Sequence, residues 1–189
     1  MKAQMDKGSF NYIKRRKKRQ GILSLIMFGI AFGIFLLGLC LNKFDKSNVF
    51  TILAVLFVLP STKMLISFII LLPFHSVDRE RYEEVIAAVP EDVNLFTDVV
   101  FSSTERVMML DFLVIDHHYL ICYSGKKDSL KVMEQYLRDG VTKRAFNFKV
   151  EAFDDFKRFK HRVSKLKLEE SQKGEDYQEL MEYVKSLMV

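Results

Sequence analysis

The stretch GILSLIMFGIAFGIFLLGLCL, residues 21–41, decides the architecture of this chain. Its 21 residues carry no charge, and only Ser24 and Cys40 are weakly polar. At about 1.5 Å of rise per residue, a helix of this length crosses the roughly 30 Å hydrocarbon core of a bilayer. A second apolar run, VFTILAVLFVLPSTKMLISFIILLPF, occupies residues 49–74. The loop between them, residues 42–48, is too short for anything but an antiparallel pair. The expected fold class is therefore a two-helix transmembrane hairpin, with spans at about 21–41 and 49–74, followed by a mixed α/β domain. The expected boundaries are 1–20 for a basic N-terminus, 21–74 for the hairpin and 75–189 for the domain.

Charge separates these parts. Residues 1–74 hold 11 Lys/Arg against 2 Asp/Glu, a net of +9, whereas residues 75–189 hold 18 against 22, a net of −4. The basic character of the chain thus belongs to its membrane end and does not argue for nucleic acid. Six consecutive cations, Lys14, Arg15, Arg16, Lys17, Lys18 and Arg19, directly precede the first span. By the positive-inside rule they hold this end in the cytoplasm, and two spans return the chain there, so both termini are expected to be cytoplasmic. The same cations suit the anionic inner leaflet, each being worth about 1 kcal/mol near such a surface. The localisation that follows is a multi-pass integral protein of a bacterial plasma membrane.

Two other readings of the start fail on its residues. The apolar run is too long for a secretory signal, lacks a small-x-small cleavage site and is followed at once by another. Leu37-Gly38-Leu39-Cys40 has the outline of a lipobox, but Leu39 is too bulky before a modified cysteine. The two cysteines, Cys40 in the first span and Cys122 in an apolar strand, imply no disulfide framework, as suits a reducing compartment.

Within the hairpin, Gly29, Ala31 and Gly33, with Gly38 beyond them, form a face of small residues that admits a second helix, either the chain's own second span or that of a second copy. Pro60 removes a backbone donor near the middle of the second span, so a bend is expected there, with Ser61 and Thr62 serving freed carbonyls. Lys63 beside it costs about 2.5–3.5 kcal/mol at a span centre, which marks it as a functional candidate. The alternatives are a lysine that snorkels or an interfacial helix over Met64–Phe74.

After residue 75 the pattern is that of a folded domain in the order α-β-β-β-α-β-α-α. Tyr82, Val85, Ile86 and Val89 predict a helix over Asp78–Val89. Strands are expected at Asp92–Phe101, Arg106–Ile115 and Tyr119–Ser124, the second so apolar that it belongs at the centre of a sheet. Ser102–Glu105 reads as the first turn and Asp116-His117-His118 as the second, a solvent-exposed reversal and not a metal pair. Asp128 or Ser129 caps a helix that runs to Asp139, stopped by Gly140. Phe146, Phe148 and Val150 alternate with polar residues over a strand at Arg144–Glu151. Phe153, Phe156, Phe159, Val163 and Leu166 stripe a helix whose opposite face carries Lys157, Arg158, Lys160, Arg162, Lys165 and Lys167. That face reads as solvated, with the inner leaflet, nucleic acid or the acidic linker as alternatives. Glu169–Gly174 is that linker, and a last amphipathic helix follows.

A helix, a three-stranded meander, a helix and a further strand over about residues 78–151 resemble the core of the restriction-endonuclease-like superfamily. The resemblance implies an Asp on the second strand and a Glu-x-Lys on the third, which hold a divalent metal and activate water. Asp111, in Met109-Leu110-Asp111-Phe112, stands where that Asp would. Cys122-Tyr123-Ser124 stands where Glu-x-Lys would, and Lys126 and Lys127 follow too late to restore it. If His117-His118 forms a two-residue turn, positions summing to 235 face each other, setting Asp111 opposite Ser124. Without a second carboxylate and a strand lysine, a metal loses a hard ligand and the water a cationic neighbour. The resemblance implies at best an inactive relative.

Asp111 amid apolar neighbours calls for a partner such as Arg106 or Arg144, or for a strand end that reaches solvent. No Gly-rich phosphate loop, nucleophile elbow or Cys/His ligand cluster is present. Gly125-Lys126-Lys127 before a helix suits an anion, but Asp128 opposes it. The residues thus assign no catalytic group, metal or cofactor, and leave Asp111, Cys122, Ser124, Lys126 and Lys63 as functional candidates. The expected function is a membrane-anchored cytoplasmic interaction or scaffold domain with a protein partner. The alternatives are a divergent metal-dependent hydrolase around Asp111 and a small transport-associated subunit using Lys63 and Pro60.

Overall fold

The structure, a computed structural model, describes residues 7–42, 48–90, 93–102, 107–116, 118–166 and 175–188. Most of the expected hairpin loop, the turn at residues 103–105, Arg106, His117 and the linker at 169–174 lie outside the described residues. The chain divides into two compact units, Ile13–His75 and a second made of Ser76 onward together with the residues up to Tyr12.

The first unit is built on α1 (Tyr12–Leu41) and α2 (Val49–Leu71), both long and apolar enough to cross a membrane. α1 starts nine residues before the apolar run, because nothing from Tyr12 to Gln20 breaks a helix. The six cations therefore ride on the helix and are not a separate tail. α2 begins at an Asn48 cap, whose side chain accepts the Thr51 N–H at 3.0 Å, and stops before Leu72-Pro73. It runs on through Pro60, whose absent N–H would have served the Leu56 carbonyl. Ser61 Oγ and Thr62 Oγ1 donate to the next two carbonyls, of Phe57 at 2.7 Å and Val58 at 2.9 Å.

Of the expected small-residue face, Gly38 and Ala31 lie at the contact between the two helices, Gly29 and Gly33 do not, and Gly21, which was not expected, does. A Cβ on Gly38 would lie 2.5 Å from Phe50 Cβ, and one on Gly21 would lie 3.2 Å from the Phe68 ring, whereas Gly29 and Gly33 have nothing within 4 Å. Ala31 and Ala54 are buried, and buried Ser24 donates to the Ser61 carbonyl at 3.5 Å. At the far end Lys17 Nζ donates to the carbonyls of Leu72, at 2.8 Å, and of Phe74. Its charge thus meets the negative pole of α2. Among the described residues, every exposed large hydrophobic side chain except Ile86 and Val132 belongs to this unit.

The second unit has three layers. β1 (Asn94–Ser102), β2 (Val107–Ile115), β3 (Tyr119–Tyr123) and β4 (Lys149–Phe153) form one sheet in the order β1-β2-β3-β4. The first three are antiparallel neighbours, and β4 returns parallel to β3 after α4 (Lys127–Lys143). α4 and α6 (Glu175–Leu187) cover one face through Leu130, Met133, Leu137, Leu180 and Val184. α3 (Arg79–Ile86) and α5 (Phe156–Ser164) cover the other through Val85, Phe159 and Val163.

The β2–β3 pairs Phe112↔Tyr123 and Leu113↔Cys122 have the expected sum of 235. α4 starts ahead of the expected caps Asp128 and Ser129, with Lys126 at its cap position. Gly140 does not end this helix, which continues to Lys143. A Cβ there would overlap the Tyr183 hydroxyl of α6, so the glycine makes room for a helix crossing. The following turn uses Ala145 at φ 56° and the Phe146 N–H bond to Val141 O. That turn delays pairing of β4 to Lys149, although Phe146, Phe148 and Val150 keep the expected inward alternation.

Candidate functional site

The side-chain alternation of two adjacent strands breaks at one level. In β1, Phe96 faces the α4/α6 core and so do Val99 and Phe101; in β2, Leu110 does and so do Leu113 and Ile115. A strand that alternates strictly cannot put both Phe96 and Val99 on one face. Each strand therefore shifts by one residue, β1 at Asp98 and β2 at Asp111, and because both shift the pairing sum stays at 209. Asp98 accommodates this with φ 54°, a region that Asp visits more readily than most residues.

The two aspartates do parallel work. Asp98 is fully buried, and its Oδ1 accepts the Val77 N–H at 2.8 Å, fixing the segment that enters α3. Asp111 is half-buried, and its Oδ2 accepts the Gly125 N–H at 2.9 Å, fixing the segment that enters α4. Burial pushes the Asp111 carboxyl above its ordinary value, a shift opposed by the Gly125 bond and by the charges of Arg81 and Lys126, and reinforced by Asp78. The Tyr123 phenol is likewise raised by burial, with Arg81 opposing. A constellation of Asp111, Tyr123, Arg81 and Lys126 thus sits where β3 ends and α3 and α4 begin.

The other candidates scatter. Ser124 is buried, adjacent to this constellation, and its Oγ accepts the Lys126 N–H at 3.3 Å. Cys122 belongs to the α4/α6 core on the opposite face of the sheet, where its Sγ donates to the Glu151 carbonyl at 3.4 Å and burial pushes the thiol up to about 12. Arg144 does not reach Asp111; its guanidinium lies 4.3 Å from the centre of the Tyr183 ring. Lys63 is exposed on α2, with its carbonyl accepting from Ser67 Oγ at 3.0 Å. Among the described residues no three His, Cys, Asp or Glu side chains come together in a group suited to a metal ion.

Sequence reasoning did not find Arg81, Tyr123 or Asp98. Arg81 carries no local signal, since only the fold brings α3 to the end of β3. Asp98 did carry one, for it is a carboxylate inside an apolar strand, as Asp111 is. The residues before α1 were also missed as part of this unit. Gly8 O accepts the Thr97 N–H at 2.7 Å, Lys7 Nζ donates to Met188 O at 2.6 Å, and Phe10 stacks on Tyr82 with ring centres 4.3 Å apart. Met188 in turn bridges to Phe101, so both segments lie along the outer edge of β1. No protein-family profile, curated protein or solved structure matches this chain.

Proposed function

We propose that this protein is a membrane-anchored binding module, a hairpin of two spans that holds an α/β unit at the cytoplasmic face for a protein partner. The observation that carries this reading is the Gly8–Thr97 hydrogen bond. It ties the residues before α1 to the sheet after α2, so a hairpin crossing the bilayer twice must return the chain to the side it left. The cations of α1 select the cytoplasm as that side, and the exposed apolar surface of α1 and α2 calls for a lipid environment. At Asp111 the chemistry is that of a carboxylate holding a backbone N–H, which positions a loop. The test is cysteine labelling in intact cells. A cysteine placed at residue 45 should react with an impermeant reagent, and one at residue 186 only after permeabilisation. Reaction at 186 in intact cells overturns the reading.

A second reading, a divergent hydrolase, draws support from the positive charges of Arg81 and Lys126 beside Asp111. Lys126 is a cation near the carboxylate although it is absent from the strand position where the superfamily resemblance implies a lysine. Cleavage of DNA or RNA in Mg²⁺ or Mn²⁺ by the purified chain, abolished in Asp111→Ala, would establish this reading. No cleavage by the parent would remove it.

A further inference from the structure

The charge on α5 is sorted more sharply than its place in an acidic unit explains. At about 100° per residue, the cations Lys157 and Arg158 on the helix and Lys165 at its C-cap fall within about 100° of one another, with His161 between them. The centre of that arc lies about 170° from the centre of the stripe formed by Phe159, Val163 and their neighbours. All four are exposed. The remaining cations of the helix are committed elsewhere: Lys160 Nζ lies 2.6 Å from Glu84 Oε2, while Arg162 Nε lies 2.7 Å from Glu151 Oε2 with its guanidinium over the Tyr119 ring. Among the described residues Lys157, Arg158 and Lys165 form no ion pair with any carboxylate. The helix thus satisfies its flanks internally and leaves its outermost face cationic, in a unit whose residues 75–189 sum to −4.

From this segregation we infer that the outer face of α5 docks on anionic phospholipid headgroups, a second electrostatic footprint beside that of α1. The inference rests on the membrane-anchored reading. Chain length gives it reach, since only the seven residues 72–78 separate the end of α2 from α3, and α3 shares a core with α5. Seven residues extend at most about 25 Å, so the unit is tethered to any bilayer that α2 crosses. A tethered cationic face meets that surface at high effective concentration. Nucleic acid would have to compete with it from solution.

The chain contains no tryptophan, so Ser164→Trp, exposed at the margin of this face, gives a single reporter. The full-length protein would be placed in nanodiscs of phosphatidylcholine, with or without phosphatidylglycerol, the lipids being brominated near the headgroup to quench on contact. Quenching should be stronger in the anionic discs and should fall to the neutral level in about 1 M salt, where the Debye length is about 3 Å. The triple variant K157Q/R158Q/K165Q should lose the effect, its docked-to-free ratio falling about a hundredfold on the basis of about fivefold per cation. The charge-matched variant K131Q/K143Q/K185Q, altered on the layer across the sheet, should retain it. Equal quenching in both lipids, equal losses in the two variants, or a reporter that responds to added RNA in place of anionic lipid would each overturn the inference. Alkaline carbonate extraction separates the two claims, because protein released from membranes would mean that the hairpin reading itself had failed.

Discussion

Asp98 and Asp111 interrupt two adjacent strands at the same level, yet each spends its carboxylate on a backbone N–H at the entrance to a different helix. Asp98→Ala should cost about 1–3 kcal/mol, the penalty for a buried donor left without its acceptor, and Asp98→Asn less, since an amide oxygen can still accept. Denaturant titration of the full chain in micelles, followed by the near-ultraviolet signal of its seven tyrosines, measures both. At Asp111 the pH dependence has a definite sign. Burial raises its folded pKa above the unfolded value, so the folded state holds the proton more tightly. The stability this supplies is present below the ordinary carboxylate range and is lost as pH rises through the raised value. Asp111→Asn, which never ionises and keeps an acceptor for Gly125, should therefore match or exceed the parent's denaturation midpoint at pH 7. That advantage should disappear below about pH 4. Cys122, its thiol pushed up to about 12 in a closed core, should resist maleimide at neutral pH until the unit unfolds. Mass spectrometry of labelled protein before and after denaturant checks this.

The elements of the α/β unit were legible where a local pattern and its tertiary use coincide. The register of β2 on β3 followed from a two-residue reversal, and β2 is an interior strand of the sheet, as a strand apolar at every position but Asp111 requires. The end of α4 was not legible, because Gly140 has the look of a helix stop while its actual reason is Tyr183, which belongs to a helix 43 positions later. Gly140→Ala should push the Tyr183 ring off Phe146 and Arg144 and cost about 1 kcal/mol net. In a Tyr183→Leu background the same change should become stabilising by up to about 1 kcal/mol, the ordinary helix preference for alanine. A denaturation double-mutant cycle decides between them. The same limit hid the site, since Asp111 stood out as a carboxylate in an apolar strand whereas Arg81 reaches it only through the packing of α3.

For the molecule as a whole, the residues ahead of α1 belong to the unit that comes after α2, which fragmentation makes testable. A fragment of residues 75–189 lacks the Gly8 carbonyl at Thr97 and the Phe10 ring on Tyr82, and so exposes an uncovered edge of β1. It should self-associate, as bare edge strands do. The same fragment with residues 1–12 joined ahead of it by a flexible linker should remain at a lower association state, measured by light scattering after size exclusion. That dependence was not readable from sequence, for Lys7-Gly8-Ser9-Phe10 has neither strand alternation nor length. It also imposes an order on biosynthesis. The segment at Gly8 leaves the ribosome long before Thr97, and Lys7 meets the Met188 carbonyl across a separation of 181 residues. The sheet edge therefore cannot close until Thr97 and Met188 have been made, and the nascent segment must stay soluble and unpaired through that interval. A chain halted between Leu71 and Thr97 would hold both apolar helices but not the clasp, the state most open to proteases and to holding chaperones.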